Sequence, residues 1–269
     1  GAIRAFAGPA SNAIIAQLVP KNILHFAASI SSTTAALQTT LWADTDKSGD
    51  GIIYFEGSGI STKGGALTFG KSGQTNVLGG ATVMVGGDVF FQRSSAQNLT
   101  TEGGAINIHG ETIVSNTSGL NVNSGNGDVT LHGMLNSGNQ YSGVQVATAI
   151  SWTAARDAAK GATGGASALG DSYLATITSR LENSIAALSV NNNSSWLGAR
   201  QLSSNGAWQW NVGPEIGQAL TYTNWNPGEP NNCCTGTANG AGFFGENALQ
   251  FTGANSSWND LFDNGVFSS

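Results

Sequence analysis

The sequence predicts a mainly β protein of two domains: an N-terminal β-solenoid (β-helix) of stacked coils, then an α+β domain. Three observations predict it. Short alternating strands recur behind glycines in the first half. Near residue 145 the pattern changes, and six of the seven tryptophans lie at or beyond Trp152. After Arg200 the chain carries acids and no Lys or Arg. The boundaries implied are a cap or assembly segment over 1–40, the solenoid over 41–145, and the α+β domain over 146–269.

Composition sets the limits. At 269 residues the chain exceeds one average domain. Only 10 % of residues are charged, against a norm of roughly a quarter. The 38 glycines are about twice the usual share. The longest apolar runs, such as Ile52 to Phe55, fall far short of the ~20 residues of a membrane helix, so no membrane span is expected. Ten Lys plus Arg against sixteen Asp plus Glu give a net charge of -6, which argues against a nucleic-acid partner. With 40 % hydrophobic residues and little net charge, the chain can form a core. Solubility through amides, hydroxyls and glycine is the composition of secreted β-rich repeat proteins. The chain begins with Gly1 and shows no signal peptide, as expected of a processed chain or a fragment.

Residues 1–40 are small and apolar. Ala13 to Val19 and Ile23 to Ala28 fit helix or strand equally, and the segment could cap the solenoid or pair with another molecule. Next comes Asp44-Thr-Asp46-Lys-Ser48-Gly-Asp50-Gly51, with oxygen side chains at alternate positions as in a calcium loop. Two readings stand: a second calcium loop using Asp44, Asp46, Ser48 and Asp50, or an acidic hairpin turn. The turn is favoured, because Glu56 falls at position eleven where the bidentate acid belongs at twelve, and because strand-like segments flank the loop.

The repeat follows. Gly65-Ala-Leu-Thr-Phe-Gly70, Gly87-Asp-Val-Phe-Phe91, Gly104-Ala-Ile-Asn-Ile-His-Gly110 and Gly127-Asp-Val-Thr-Leu-His-Gly133 share one form: Gly, a small or acidic residue, then apolar, any, apolar. A unit of about twenty residues with one alternating strand and glycine turns is the mark of a solenoid, whose coils bury their apolar faces only by stacking. His109 and His132 hold the same place in two units. They read as a metal or pH site, or as two stacked polar residues; the second is favoured because no acids accompany them.

In the last part, Trp152 to Lys160 has helical spacing, and Ser179-Arg-Leu-Glu182 opens a second helix with a capping box. Tyr173 to Ile177, Ser195 to Ala199, Ala207 to Trp210, Leu249 to Phe251 and Trp258 read as strands. The acids beyond Arg200 are Glu215, Glu229, Glu246, Asp260 and Asp263. Acids gathered without a base repel one another unless a cation sits among them. Carboxylate and amide oxygens without His or thiolate favour Ca²⁺ over zinc. The candidate metal ligands are Glu229, Asn231, Glu246, Asn259 and Asp260, with Glu229 and Asn231 flanking Pro230. A solvated acidic loop is the equal alternative. Cys233 and Cys234 are adjacent, so they cannot staple the fold, and they leave the redox compartment undecided.

These residues carry a resemblance. Trp152 with Ala155, Leu174-Ala-Thr-Ile177 with Ser179 and Glu182, Trp196-Leu-Gly198, Trp208-Gln-Trp210, Tyr222-Thr-Asn-Trp225, Pro227-Gly-Glu-Pro-Asn-Asn232, Glu246-Asn247 and Trp258-Asn-Asp260 occur in one order. In that order residues 151–267 resemble a C-type lectin domain. The resemblance implies a looped α/β fold whose long loop holds Ca²⁺ through Glu229, Asn231, Glu246, Asn259 and Asp260, with a cis Glu229-Pro230 bond. It also implies that Glu229, Asn231, Glu246 and Asn259 bind a glycan. The Glu-Pro-Asn order implies mannose-, glucose- or fucose-like sugars with equatorial vicinal hydroxyls. Two departures stand out: Ala158 or Ala159 and Ala248 stand near the family's disulfide cysteines, and the chain stops where the family's last strand should begin. More loosely, residues 40–140 resemble the filamentous-haemagglutinin class of bacterial β-helices, on Leu41-Trp-Ala-Asp-Thr-Asp46 and the glycine-led units.

Two functions follow from this. The first is a secreted or cell-surface bacterial adhesin presenting a Ca²⁺-dependent sugar-binding domain on a solenoid stalk. The second is a subunit of an extracellular filament or surface layer, whose lectin-like domain makes protein contacts. An enzyme is not expected, because no paired carboxylates or nucleophile–base arrangement stands out. Trp196, Trp208, Trp210 and Trp225 read as core residues rather than sugar platforms.

Overall fold

The structure is a computed structural model that describes residues 23–26, 29–43, 51–72, 75–78, 81–84, 87–115, 119–133, 135–137, 141–161, 172–203, 206–233, 245–253 and 256–263. The chain divides into two compact units, Gly1–Gln140 and Tyr141–Ser269.

In the first unit the chain visits three parallel sheets in turn. One sheet has the order β1 (Ile23–Phe26), β4 (Ile52–Phe55), β9 (Asp88–Phe91), β12 (Thr112–Val114), β15 (Leu135–Ser137). A second runs β2 (Ile30–Ser31), β5 (Gly59–Ser61), β10 (Gln97–Thr100), β13 (Leu120–Asn123). The third runs β3 (Thr39–Leu41), β6 (Leu67–Phe69), β11 (Ile106–Ile108), β14 (Val129–Leu131). Each cycle thus holds three short strands, where the sequence suggested one per unit. Among the described residues the first strand begins at Ile23, inside the segment expected as a cap.

Alternation explains the core. Leu67 and Phe69 of β6 pair with Ile106 and Ile108 of β11, and all four are buried. Thr68 and Asn107 point the other way, as period-two geometry requires. Phe91 lies edge-to-face with Phe55 at 5.7 Å and with Phe69 at 5.8 Å, joining two sheets. At one corner the hydroxyls of Thr62, Thr101 and Ser124 donate to the carbonyls of Gly65, Gly104 and Gly127. These are the leading glycines of three repeat units. They stack so closely that a Cβ at Gly104 would overlap the Gly65 carbonyl, and one at Gly127 the Gly104 carbonyl. The unit led by Gly87 differs, because its strand β9 belongs to another sheet. The antiparallel hairpin β7 (Thr75–Leu78) and β8 (Ala81–Met84) is inserted between β6 and β9. It stretches one cycle, so Lys63 meets Glu102 across 39 residues while Thr101 meets Ser124 across 23.

His109 and His132 stack at 4.4 Å with an 18° angle. His109 is buried, and burial followed by the neighbouring imidazole pushes its pKa down. The stack is the polar pair that the sequence suggested; among the described residues no group of three or more His, Cys, Asp or Glu is arranged to hold a metal. The candidate loop residues Asp44, Asp46, Ser48 and Asp50 lie outside the described residues.

The second unit has two helices and an antiparallel sheet. The helices are α1 (Trp152–Gly161) and α2 (Arg180–Ser189). The sheet has the order β17 (Trp208–Trp210), β16 (Ser195–Gln201), β18 (Ala248–Phe251), β19 (Trp258–Leu261). Tyr173 to Ile177 is not a strand; Ala175 O accepts from Gly198 N at 2.9 Å. Ser179 caps α2 by accepting from Glu182 N. The expected capping box is shifted by one residue: the Glu182 carboxylate accepts from Thr178 N and Oγ1 at 2.7 and 2.8 Å. Trp152 is fully buried, donates to Leu197 O and lies under the Arg200 guanidinium. Trp196, Trp210 and Trp258 are buried, and Trp208 and Trp225 pack on the cluster that holds Trp210 and Trp258, while Trp196 packs in the cluster of Trp152. No helix among the described residues is long and apolar enough to cross a membrane.

Candidate functional site

The site is built where the long loop returns to β19. Trp258 N donates to Asn224 O at 2.7 Å, and Asn226 N donates to Trp258 O at 2.8 Å. This pairing lays residues 224–226 along the start of β19. Asn226 to Glu229 then closes a turn, with Glu229 N donating to Asn226 O at 2.9 Å, Pro227 second and Gly228 at φ 94°. Proline followed by a positive-φ glycine is the signature of a type II turn. The turn delivers the cis Glu229–Pro230 bond.

Beyond it, backbone donors converge on carboxylates. Asn231 N donates to Asp260 Oδ1 and to Glu229 Oε2, each at 3.1 Å. Asn232 N donates to Asp260 Oδ2 at 2.9 Å. Cys233 N donates to Glu246 Oε2 at 2.9 Å and to Asn231 Oδ1 at 2.6 Å. Asn232 Oδ1 accepts in return from Glu246 N at 3.0 Å. Cys233 is disulfide-bonded, so it offers no thiolate.

The structure therefore brings Glu229, Asn231, Glu246 and Asp260 into one network. Asn259 adjoins it through its neighbour, its amide donating to Asp260 O at 2.6 Å. The other two acids lie in different contacts. Glu215 accepts from Thr176 Oγ1. Asp263 accepts from Thr153 N and Oγ1 at the start of α1 and pairs with Arg200 at 3.1 Å. Arg200, the last base of the sequence, is thus committed to an acid outside the network.

The electrostatics follow. Asp260 is 1 % exposed and Glu246 7 %. Burial, then the charge of Asp260, pushes the Glu246 carboxyl up to about 7. Glu229 is raised too, first by burial and then by its hydrogen bond to Asp260 and that residue's charge. Buried acids with no cationic side chain among them, surrounded by amide oxygens, form a donor set that fits a hard cation. Acids alone do not complete such a set: no three of them are arranged to hold a metal among the described residues, so the amides of Asn231 and Asn259 would have to contribute. The sequence reading missed Asn232 and the backbone donors of the loop, whose partners are distant in the chain.

Residues 167–267 match the family model described as the lectin C-type domain. The low affinity immunoglobulin epsilon Fc receptor of Mus musculus is 35 % identical over 89 residues, 33 % of this chain and 23 % of that protein. Lectin BRA-3 of Megabalanus rosa is 38 % identical over 60 residues, 22 % of this chain and 35 % of that lectin. Halomucin of Haloquadratum walsbyi is 33 % identical over 108 residues, 35 % of this chain and 1 % of that protein. The chain therefore spans about a third or less of the length of these curated relatives. Among solved structures, the carbohydrate-recognition domain of cow CD23, crystallised with a GlcNAc2Man3 oligosaccharide, is 30 % identical. It covers 44 % of this chain and 74 % of its own, with a TM-score of 0.31. Residues 167–267 carry a C-type lectin domain.

Proposed function

We propose that this domain binds glycans through Ca²⁺ held by Glu229, Asn231, Glu246, Asn259 and Asp260. The observation that carries the reading is the Glu229–Asn231–Glu246–Asp260 network, where acids meet without a base and burial raises Glu229 and Glu246. Bound there, Ca²⁺ would supply the charge that offsets the three acids and accept two vicinal hydroxyls of a sugar. Glu229, Asn231, Glu246 and Asn259 would read the donor and acceptor directions of those hydroxyls. The Glu-Pro-Asn order supports mannose-, glucose- or fucose-like sugars. We read the first unit, with its three parallel sheets and its cycle of strands, as a β-solenoid stalk, and the chain as part of a secreted bacterial surface adhesin. Binding to a mannose-rich glycan array in millimolar calcium, lost on EDTA addition and absent in Glu229→Ala, is the expected outcome. Equal binding by Glu229→Ala would overturn the site.

A second reading, a filament or surface-layer subunit, is favoured by the strands β13, β14 and β15. There Val122, Val129, Leu131 and Leu135 are 41, 47, 43 and 57 % exposed. Light scattering separates the two: growth of long assemblies supports the filament, and a monomer at all concentrations overturns it.

A further inference from the structure

We propose that Asn183, on α2, is a positioning residue for the calcium site; the inference rests on the calcium reading above. Asn183 is 2 % exposed and touches none of the candidate ligands through a hydrogen bond seen here. Both ends of its amide are committed to the segment that leads into β19. Its Oδ1 accepts from the indole Nε1 of Trp258 at 2.6 Å, and its Nδ2 donates to Ser256 O at 3.0 Å. Trp258 is fully buried and immediately precedes Asn259 and Asp260.

The contact reaches the other half of the site as well. Ser256 O also accepts from Asn224 Nδ2 at 2.8 Å, and Asn224 O accepts from Trp258 N. Asn224 and Asn226 begin the segment that carries Glu229 and Asn231. One helical amide therefore fixes the hairpin turn before β19, and through Trp258 the register of the loop strand. Ser256 sits at φ 54°, a left-handed value uncommon outside glycine, so the turn needs such partners to hold it. The helix is the rigid reference, and the ligand-bearing segments are aligned to it. Groups that orient metal ligands without touching the metal commonly change affinity by about 10–100-fold when removed.

The test measures Ca²⁺ affinity by isothermal titration calorimetry, and separately the melting temperature of the calcium-free protein. The variants are Asn183→Leu, Trp258→Phe and Leu181→Ala, each made in the full chain. Leu181 is buried on the same helix and has no part in the site, so Leu181→Ala reports the effect of lost packing alone. The expected result is a Ca²⁺ affinity about tenfold weaker in Asn183→Leu and in Trp258→Phe, which stays aromatic but loses the indole donor and part of the ring. Leu181→Ala should melt earlier with unchanged affinity. Wild-type affinity in a folded Asn183→Leu, or an equal loss of affinity in Leu181→Ala, would overturn the positioning role. If Asn183→Leu does not fold, Trp258→Phe decides in the same way. Failure of the wild-type protein to bind Ca²⁺ would overturn the calcium reading itself, and the inference with it.

Discussion

Asp260 Oδ2 lies 2.9 Å from the backbone nitrogen of Asn232, and this bond ties two segments 28 residues apart in sequence. Its partner oxygen takes the N–H of Asn231. The carboxylate therefore shapes the loop as well as charging the site. In Asp260→Asn one oxygen becomes an NH₂ that faces a backbone donor. An unsatisfied buried donor costs about 1–3 kcal/mol, but relief of repulsion with Glu229 and Glu246 offsets it. The expected outcome is a melting temperature close to wild type and Ca²⁺ binding weaker by about a hundredfold or more, since affinity follows ligand charge. Calorimetric titration with Ca²⁺, alongside thermal melting without it, checks both halves.

Glu246 gives a pH dependence with a definite sign. Its carboxyl is raised to about 7 by burial first and Asp260 second, and Glu229 is raised in the same direction. A carboxyl raised in the folded state favours folding fully below its unfolded value, and that contribution is lost as pH rises through the folded one. The calcium-free protein should therefore be more stable at pH 5 than at pH 8, by roughly 5 °C in melting temperature. Saturating Ca²⁺ should reverse the trend, because the metal binds the ionised acids. Melting curves across that range with and without EDTA measure it.

Asp263 holds the head of α1. It accepts from Thr153 N and Oγ1 at the head of α1, and from Arg200, which also lies 4.8 Å from the Trp152 ring centroid. The Arg200 and Asp263 side chains are 12 % and 13 % exposed. Removing one partner leaves a largely buried charge unpaired, so Asp263→Ala should cost about 3 kcal/mol in urea unfolding. Ca²⁺ affinity should be unchanged, because Asp263 lies outside the network of Glu229, Glu246 and Asp260.

How much of this was legible in the sequence depended on how local each signal is. Ser179 and Glu182 are three residues apart, so the start of α2 could be read, although the carboxylate chose Thr178. Gly65, Gly104 and Gly127 were visible as repeats because close stacking at one corner demands glycine at each. Gly87 matched their pattern and yet leads a strand of another sheet; the inserted β7–β8 hairpin leaves it 22 residues beyond Gly65, close to the repeat spacing, so spacing did not tell it apart. The acids of the site were visible as a run without bases, but not their division. Glu215 and Asp263 left the group for partners 39 and 110 residues away. Asn183 was invisible for the same reason, as its partner Trp258 is 75 residues distant and a buried asparagine on a helix has no sequence signature.

The glycine corner yields the last prediction, a comparison of neighbours. A Cβ at Gly104 would overlap the carbonyl of Gly65 in the adjacent strand segment. Gly103, one residue earlier, has a φ of 115° and open space around it. Gly103→Ala therefore meets only the backbone penalty of a left-handed residue, about 1–2 kcal/mol. Gly104→Ala must push two segments of the stack apart. That displacement weakens the bond from Thr101 Oγ1 to Gly104 O and the parallel pairing of β6 with β11. Its cost should exceed that of Gly103→Ala by about 1–3 kcal/mol, the usual range for overpacking in a tight interior. Urea unfolding of the two variants, followed by the far-ultraviolet signal of the β-structure, decides it. Equal losses would mean that the glycines serve backbone conformation rather than close stacking.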